Sequence, residues 1–466
     1  MSRVKREKAK SRKGTASDRH IEVHLTSAVE MLHEHITEAL CQEVWKDVRI
    51  SERERKWSLF ALARFWLAAI IDAPPSLSQL LELMRKGEHE GFLPQVAASA
   101  ESFFEKCRDL SSVFFTELHR RFIDSVLPKA PKCFAGVVSH LSAKFTDVLV
   151  IDGSRLDKIA HRLKILRKEK AAVLPGCILA VYDLFRGITR ALWFDADAAA
   201  SEFKRAELAL QCLSKGSLVL GDRLYSSGVE LFRILEQSEC FGLFRRTKAL
   251  PVRKLQLLKS ESIQGGLLED WLVEAGPATD PMKLRLIRLT KRKTIYEALT
   301  NVLDAARLSA RDALDLYPLR WSVERLFFDL KIVLNLQRFY AANPNAVAMQ
   351  VYAAAMVHAA FRIGQATVAR TVKLPPEELS PQKLFALLAY VSIKLIEGEW
   401  YFLQICRANP GVKLRKPSWR DMPGTVVSLR YLRRQRRTGP RKARPYDPER
   451  GTWKSLRRIR GANKLT

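Results

Sequence analysis

The sequence predicts an α/β protein: a mixed β-sheet domain in the middle of the chain, carrying a β-rich insertion and flanked by helical regions. Three observations carry that expectation. Short apolar runs that stop at an acid, glycine or a polar turn read as buried strands, among them Asp147-Val-Leu-Val-Ile-Asp152-Gly-Ser and Ser217-Leu-Val-Leu-Gly-Asp222. Before Leu127 and after Asn345, apolar residues recur at three- and four-residue steps, the spacing of helices. Between about Lys248 and Tyr296, short basic and apolar runs surround Gly265-Gly266, Gly276-Pro277 and Asp280-Pro281, which reads as small strands joined by turns.

Bulk composition narrows the function classes. A chain of 466 residues is long enough for two or three domains, and 47% hydrophobic content excludes wholesale disorder. A formal net charge of +29 favours polyanions: DNA, RNA or an anionic membrane surface. The membrane reading is weak, because the apolar window Trp57 to Ile71 is short and carries Arg64. The window Val347 to Ile363 contains Gln350, His358 and Arg362, so a buried helix is expected there. No secretory signal is visible, and the seven cysteines are dispersed without a Cys-x-x-Cys pair. They read as reduced core thiols of a cytoplasmic protein.

In chain order, residues 1–17 form a basic arm, either a solvated tail or a DNA contact. Residues 18–127 form a helical N-terminal domain broken at Pro74-Pro75. His33 and His35 lie on different helical faces, so they are expected at the surface rather than as a metal pair. Residues 128–370 make the sheet domain, with strands near 147–152, 176–184 and 188–195, a helix at 200–213, a strand at 217–221, a helix at 227–237 and a strand near 240–245. Three strands followed by alternating helices and strands is the pattern of a ribonuclease-H-like mixed sheet. Its first and fourth strands are neighbours, which would bring Asp152 and Asp222 together. Asp183, Asp195 and Asp197 compete as metal ligands, but turn and cap roles explain them. Residues 371–429 are expected as a helical region suited to docking or dimerisation, with Leu384 to Tyr401 as its apolar segment. From Arg430 to Lys464, fourteen cations face only Asp447 and Glu449, which reads as a tail without a core.

The stretch Tyr317 to Lys331, YPLRWSVERLFFDLK, organises the rest. On an α-helix, Tyr317, Arg320, Glu324 and Lys331 fall within about 60° of one another. Leu319, Val323, Leu326 and Leu330 occupy the opposite side. Trp321 and Phe328 project near Glu324 and either wedge against DNA bases or pack under the insertion, packing being the expectation. Taken alone, the polar stripe reads as a surface ion-pair network. Two strand-end aspartates and a helix glutamate instead suit a divalent-metal site for phosphoryl chemistry, since hard cations take oxygen ligands.

The set Asp152, Asp222 and Glu324, with Tyr-x2-Arg-x3-Glu-x6-Lys around the glutamate, resembles the Asp-Asp-Glu transposases of bacterial insertion sequences. It looks most like their family four, named for that Tyr-Arg-Glu-Lys signature. Asp152-Gly-Ser, Asp222-Arg-x-Tyr-x-Ser and Leu299-Thr-Asn301 also match, over roughly residues 145–365. The resemblance implies Asp152, Asp222 and Glu324 as catalytic and metal ligands, holding Mg²⁺ or Mn²⁺, with two ions expected. Tyr317, Arg320, Lys331 and Arg223 would contact DNA. An aromatic against a displaced base would be Tyr296 or Trp271, for both of which core packing is the plainer reading. It further implies cut-and-paste excision and insertion, a hairpin intermediate, double-stranded DNA with terminal inverted repeats, target DNA, and a homodimer holding two ends. The N-terminal domain would bind the element end. Two rivals stay open: a metal-dependent nuclease without strand transfer, and a catalytically inactive DNA-binding relative.

Overall fold

The protein is described by a computed structural model covering residues 20–23, 26–48, 57–85, 96, 99–156, 176–198, 200–211, 213–263, 266–291, 294–341, 343–388 and 425–434. The basic arm, most of the C-terminal tail, Cys212, Cys406 and all but the start of the Leu384 to Tyr401 segment lie outside the described residues.

The N-terminal part opens with strand β1 (His20–Val23) and continues through six helices. They are α1 (Thr26–His35), α2 (Glu38–Val48), α3 (Leu59–Asp72), α4 (Leu77–Arg85), α5 (Ala100–Asp109) and α6 (Val113–Val126). A meander follows: β2 (Val148–Arg155), β3 (Cys177–Asp183) and β4 (Ile188–Asp195), each antiparallel to the next. Then come α7 (Glu202–Gln211), β5 (Leu218–Gly221), α8 (Glu230–Gln237) and β6 (Phe241–Arg245). The insertion contributes β7 (Val252–Ile263), β8 (Gly266–Ala275) and β9 (Met282–Lys291), and β10 (Thr294–Thr300) returns the chain. Helices α9 (Ala310–Leu316), α10 (Ser322–Phe328) and the 29-residue α11 (Pro344–Val372) complete the domain.

All strands from β2 to β10 belong to one mixed sheet of nine, in the order β4-β3-β2-β5-β6-β10-β9-β8-β7. The expected adjacency is present: β5 lies parallel to β2, with Val150 opposite Leu220. The insertion departs from expectation. It is not a separate set of small strands but a long antiparallel extension of the same sheet. Arg285, fully buried on β9, ties it down by donating to Asp270 on β8 and to the carbonyls of Val302 and Leu308, both at 2.9 Å.

Alternation along the strands divides the interior in two. Val148, Val150, Leu218 and Leu220 join the core that holds α10 and α11. Leu149, Ile151 and Val219 join the second core, under α7 and α8 with Phe232 and Phe244. The first core also takes in residues of the N-terminal helices and Leu432, so these regions share one apolar interior. Helix α11 is apolar enough by length and composition to cross a membrane, but its most apolar window is wholly buried within the protein.

Several local expectations need correction. His33 and His35 are half-buried rather than surface residues; His33 sits 2.9 Å from the guanidinium of Arg64, itself buried on α3. Of the described cysteines, Cys133 is exposed and Cys177 intermediate, so only Cys41, Cys107 and Cys240 are core thiols. Asp183 behaves as a turn residue, accepting from the backbone of Phe185 and Arg186 at 3.0 and 2.9 Å. Asp195 pairs with Arg205 and accepts from the Asp197 backbone at 2.7 Å. At the far end, strand β11 (Thr425–Ser428) pairs antiparallel with β1, His20 opposite Ser428. One helical turn follows, Leu429–Leu432, with Leu432 fully buried and Arg433 bridged to Leu379. The first residues of the expected tail therefore pack, because Leu432 supplies an apolar anchor among the cations.

Candidate active site

Asp152 and Asp222 sit at the same end of neighbouring parallel strands, one inside β2 and one just beyond β5. Parity puts both on the face towards α10, continuing the Val148, Val150 and Leu218, Leu220 rows. Asp222 accepts from the backbone of Leu224 at 2.7 Å, which fixes it at the head of the Leu224–Ser226 turn. Asp152 accepts from Arg320 at 2.9 Å, through Oδ2, and from the Gly153 backbone at 3.0 Å, through Oδ1.

The Arg320 contact is made possible by a change of winding. The stretch expected as one regular α-helix is a 3-10 segment (Tyr317–Trp321), an α segment (Ser322–Phe328) and a π segment (Asp329–Val333). Pro318 has no N–H for an α-helical bond to Leu314, and the tighter 3-10 winding brings residues three apart into line. Tyr317 and Arg320 thus point together at the strand ends, where the Tyr317 hydroxyl donates to the Gly221 carbonyl at 3.3 Å. The π segment, marked by the Leu334 to Asp329 backbone bond of 2.9 Å, turns Lys331 back onto Ser154 at 2.7 Å and the Arg155 carbonyl at 2.5 Å.

Glu324 stands apart from the pair. It is exposed, and Arg320 is the charged group that acts on it; burial raises its carboxyl above the usual range and Arg320 offsets that. The structure therefore brings together Asp152, Asp222, Arg320, Tyr317 and Lys331, with Glu324 on the adjoining rim. Tyr296 packs tilted against Tyr317, 5.3 Å between ring centres, under the Arg245 guanidinium at 5.7 Å. Trp271 is two strands further out in the sheet, beneath Lys254 at 3.9 Å, away from this group. Arg223 is exposed beside Asp222. Trp321 and Phe328, expected to pack, are instead 58% and 42% exposed beside Glu324.

One acid of the site escaped the sequence reading. Glu202, on the first turn of α7, crowds Asp152 and Asp222 closely enough to act on both. Its Oε1 accepts from the buried Tyr225 hydroxyl at 2.5 Å. Gly153 makes room for it: a Cβ there would lie 2.5 Å from Glu202 Oε2. Tyr225 belongs to the Asp222-Arg-x-Tyr motif, and Gly153 to Asp152-Gly-Ser, so both motifs carry a residue that serves Glu202. Burial pushes the Asp152 carboxyl up to about 7; Arg320 opposes that shift, while Glu202 and Asp222 add to it.

That crowding tests the site for a divalent cation. Buried carboxylates pressing on one another are hard oxygen donors short of positive charge, which suits Mg²⁺ or Mn²⁺. Among the described residues, however, no group of three or more His, Cys, Asp or Glu is arranged to hold a metal ion. Asp152 and Asp222 fit the ion in kind; a closed cage including Glu324 is not formed.

The geometry defines an acid-lined site at the end of a mixed sheet, and residues 146–359 match the family model described as the transposase DDE domain. That match spans every strand of the sheet and supports a DDE transposase. Among solved structures, the chain is similar to one titled as the piggyBac transposase synaptic complex with hairpin DNA, at 12% identity, 85% of each chain and a TM-score of 0.37. No curated protein matches the chain.

Proposed function

We propose that this protein is a metal-dependent DNA transposase of the Tyr-Arg-Glu-Lys insertion-sequence group, built on a ribonuclease-H-like sheet and acting by cut-and-paste excision and insertion. The observation that carries the reading is the pairing of Asp152 and Asp222 on adjacent parallel strands, with Arg320 of the signature segment ion-paired to Asp152. The match of residues 146–359 to the transposase DDE domain supports it.

In this reading Asp152 and Asp222 would hold the cation and Glu324, on the rim, would complete the set. Bound Mg²⁺ or Mn²⁺ supplies Lewis-acid stabilisation of charge developing at phosphorus. Arg320 favours the charged form of Asp152 and orients it, and its planar fork can pass to a phosphate oxygen. Tyr317 donates a hydrogen bond without adding charge. Lys331 fixes the Ser154-Arg155 end of β2, and exposed Arg223, Trp321 and Phe328 present cationic and aromatic surface to a DNA strand. The partners are double-stranded DNA with terminal inverted repeats and target DNA, in a synaptic homodimer; the setting is the cytoplasm of a bacterium. The N-terminal helices are assigned to element-end binding.

The test is incubation with Mg²⁺ and labelled duplex taken from the DNA flanking the gene. Cleavage followed by joining is expected, with Glu324→Gln retaining binding and losing cleavage. Cleavage without joining would favour the nuclease, and persistent cutting by Glu324→Gln would remove that residue from the chemistry.

A further inference from the structure

A polar cavity lies on the flank of α10, where Arg325 and Phe328 meet the Ser380–Lys383 segment and the residues after the Leu429–Leu432 turn. Its volume is about 350 Å³. Four cations line it: Arg325, Lys383, Arg433 and Arg434. Lys383 donates to the Tyr431 carbonyl and lies 4.5 Å over that ring, and Arg434 is held through its backbone N–H on the Glu378 carbonyl at 2.8 Å. Among the described residues, none of the four is ion-paired with a carboxylate.

The local balance is cationic. The charged groups acting on Arg434 are Arg325 and Arg362 on one side, Asp329 and Glu377 on the other. Asp329 also lines the cavity, so its wall carries four cations and one acid. Arg434 carries a buried Nε with no hydrogen-bond partner. Burial, with Arg325 adding to it, holds its guanidinium down at about 10. Unpaired guanidinium groups converging on a polar cavity are complementary to a tetrahedral oxyanion.

Position selects the anion. Arg325 directly follows Glu324, and the exposed rings of Trp321 and Phe328 flank that acid on the same surface. Cations interleaved with exposed aromatics form a path for a nucleic-acid strand, phosphates on the cations and bases on the rings. We propose that the Arg325–Lys383–Arg433–Arg434 cavity seats one phosphodiester of a DNA strand running past Glu324. The proposal rests on the reading of this protein as a DNA transposase. It gives the C-terminal segment a role in the catalytic domain: two of the four cations come from residues that follow β11.

The experiment measures affinity of the full chain for a fluorescent duplex across a salt series, for wild type, Arg433→Gln and Lys215→Gln. Arg433 is exposed, so its loss should leave the fold intact; Lys215 lies before β5, at the end opposite Asp222. Arg433→Gln is expected to lower the slope of log affinity against log salt by about 1, for any duplex sequence, and Lys215→Gln to leave it unchanged. Equal slopes for all three proteins overturn the proposal. So does inorganic phosphate that, titrated alone, raises the melting temperature of wild type but not of Arg433→Gln while the DNA slope stays the same; the cavity would then hold free phosphate. A wild type that fails to cut duplex yet shows the Arg433-dependent slope would sink the transposase reading and leave the phosphate site standing.

Discussion

The guanidinium of Arg320 donates to Oδ2 of Asp152 at 2.9 Å across 168 residues of sequence, and both side chains are mostly out of water. Together with Tyr317 on the Gly221 carbonyl and Lys331 on Ser154, this bond joins the signature segment to the acid end of the sheet. Arg320 thus compensates the charge of Asp152, one of the two acids that would hold a divalent cation.

Asp152 should be a stability liability. Burial and the nearby Glu202 and Asp222 carboxylates all disfavour its charge, against Arg320 and the Gly153 backbone N–H. Asp152→Asn is therefore expected to abolish cleavage while stabilising the chelator-treated protein by roughly 1 kcal/mol, the usual exchange at a strained acid site. Thermal melts in EDTA check this; a lower melting temperature than wild type would contradict the crowding argument.

Glu202 and Gly153 should act as one unit. Glu202→Gln removes the crowding acid and Gly153→Ala pushes it aside with a new Cβ. Each is expected to slow cleavage by about tenfold, equivalent to about 1.4 kcal/mol, and the double variant by little more than either single one. Additive losses in single-turnover cleavage would show that the two changes act separately.

Arg285 is the structural pin of the sheet extension. Arg285→Ala leaves the Asp270 carboxylate buried and uncompensated and two carbonyls unserved, at a cost of about 3–5 kcal/mol in urea unfolding. Arg285→Met combined with Asp270→Leu should recover most of that loss, because no charge is stranded.

His33 should steepen the acid limb of stability. Burial and the adjacent Arg64 hold its imidazole down at about 3, below the ordinary value near 6.5. The unfolded chain then binds the extra proton first, so stability is intact above about pH 6.5 and falls as pH drops towards 3. His33→Gln is expected to flatten the pH dependence of the melting temperature in that window; an unchanged profile would mean the ring is not held neutral.

Truncation separates the packed end from the tail. A chain ending at Arg434 keeps Leu432 in the core and sheds the Lys- and Arg-rich run that follows, so it is expected to bind DNA more weakly and with less salt sensitivity. A chain ending at Ser428 loses Leu432 and should be destabilised by about 2–4 kcal/mol.

The order of strands and helices from β2 to β6 was readable because each element obeys its own period and stops at a glycine, an acid or a polar turn. The neighbourhood of Asp152 and Asp222 followed from that order. The sequence did not show the reach of the sheet, since β7 is exposed along nearly its whole length and carries no apolar alternation. Glu202 looked like any acid in the first turn of a helix, where the dipole alone explains it. Its one signal was glycine following Asp152, with a tyrosine three residues after Asp222. The two changes of winding around Glu324 were hidden because an ideal wheel assumes one pitch; Pro318 signals the first, and nothing local signals the second.

The two-stranded ribbon of β1 and β11 clasps residue 20 to residue 428 and so joins two positions far apart in sequence. Such a pairing is costly in loop-closure entropy until the rest of the fold is in place, so the ribbon is expected to close last and to open first.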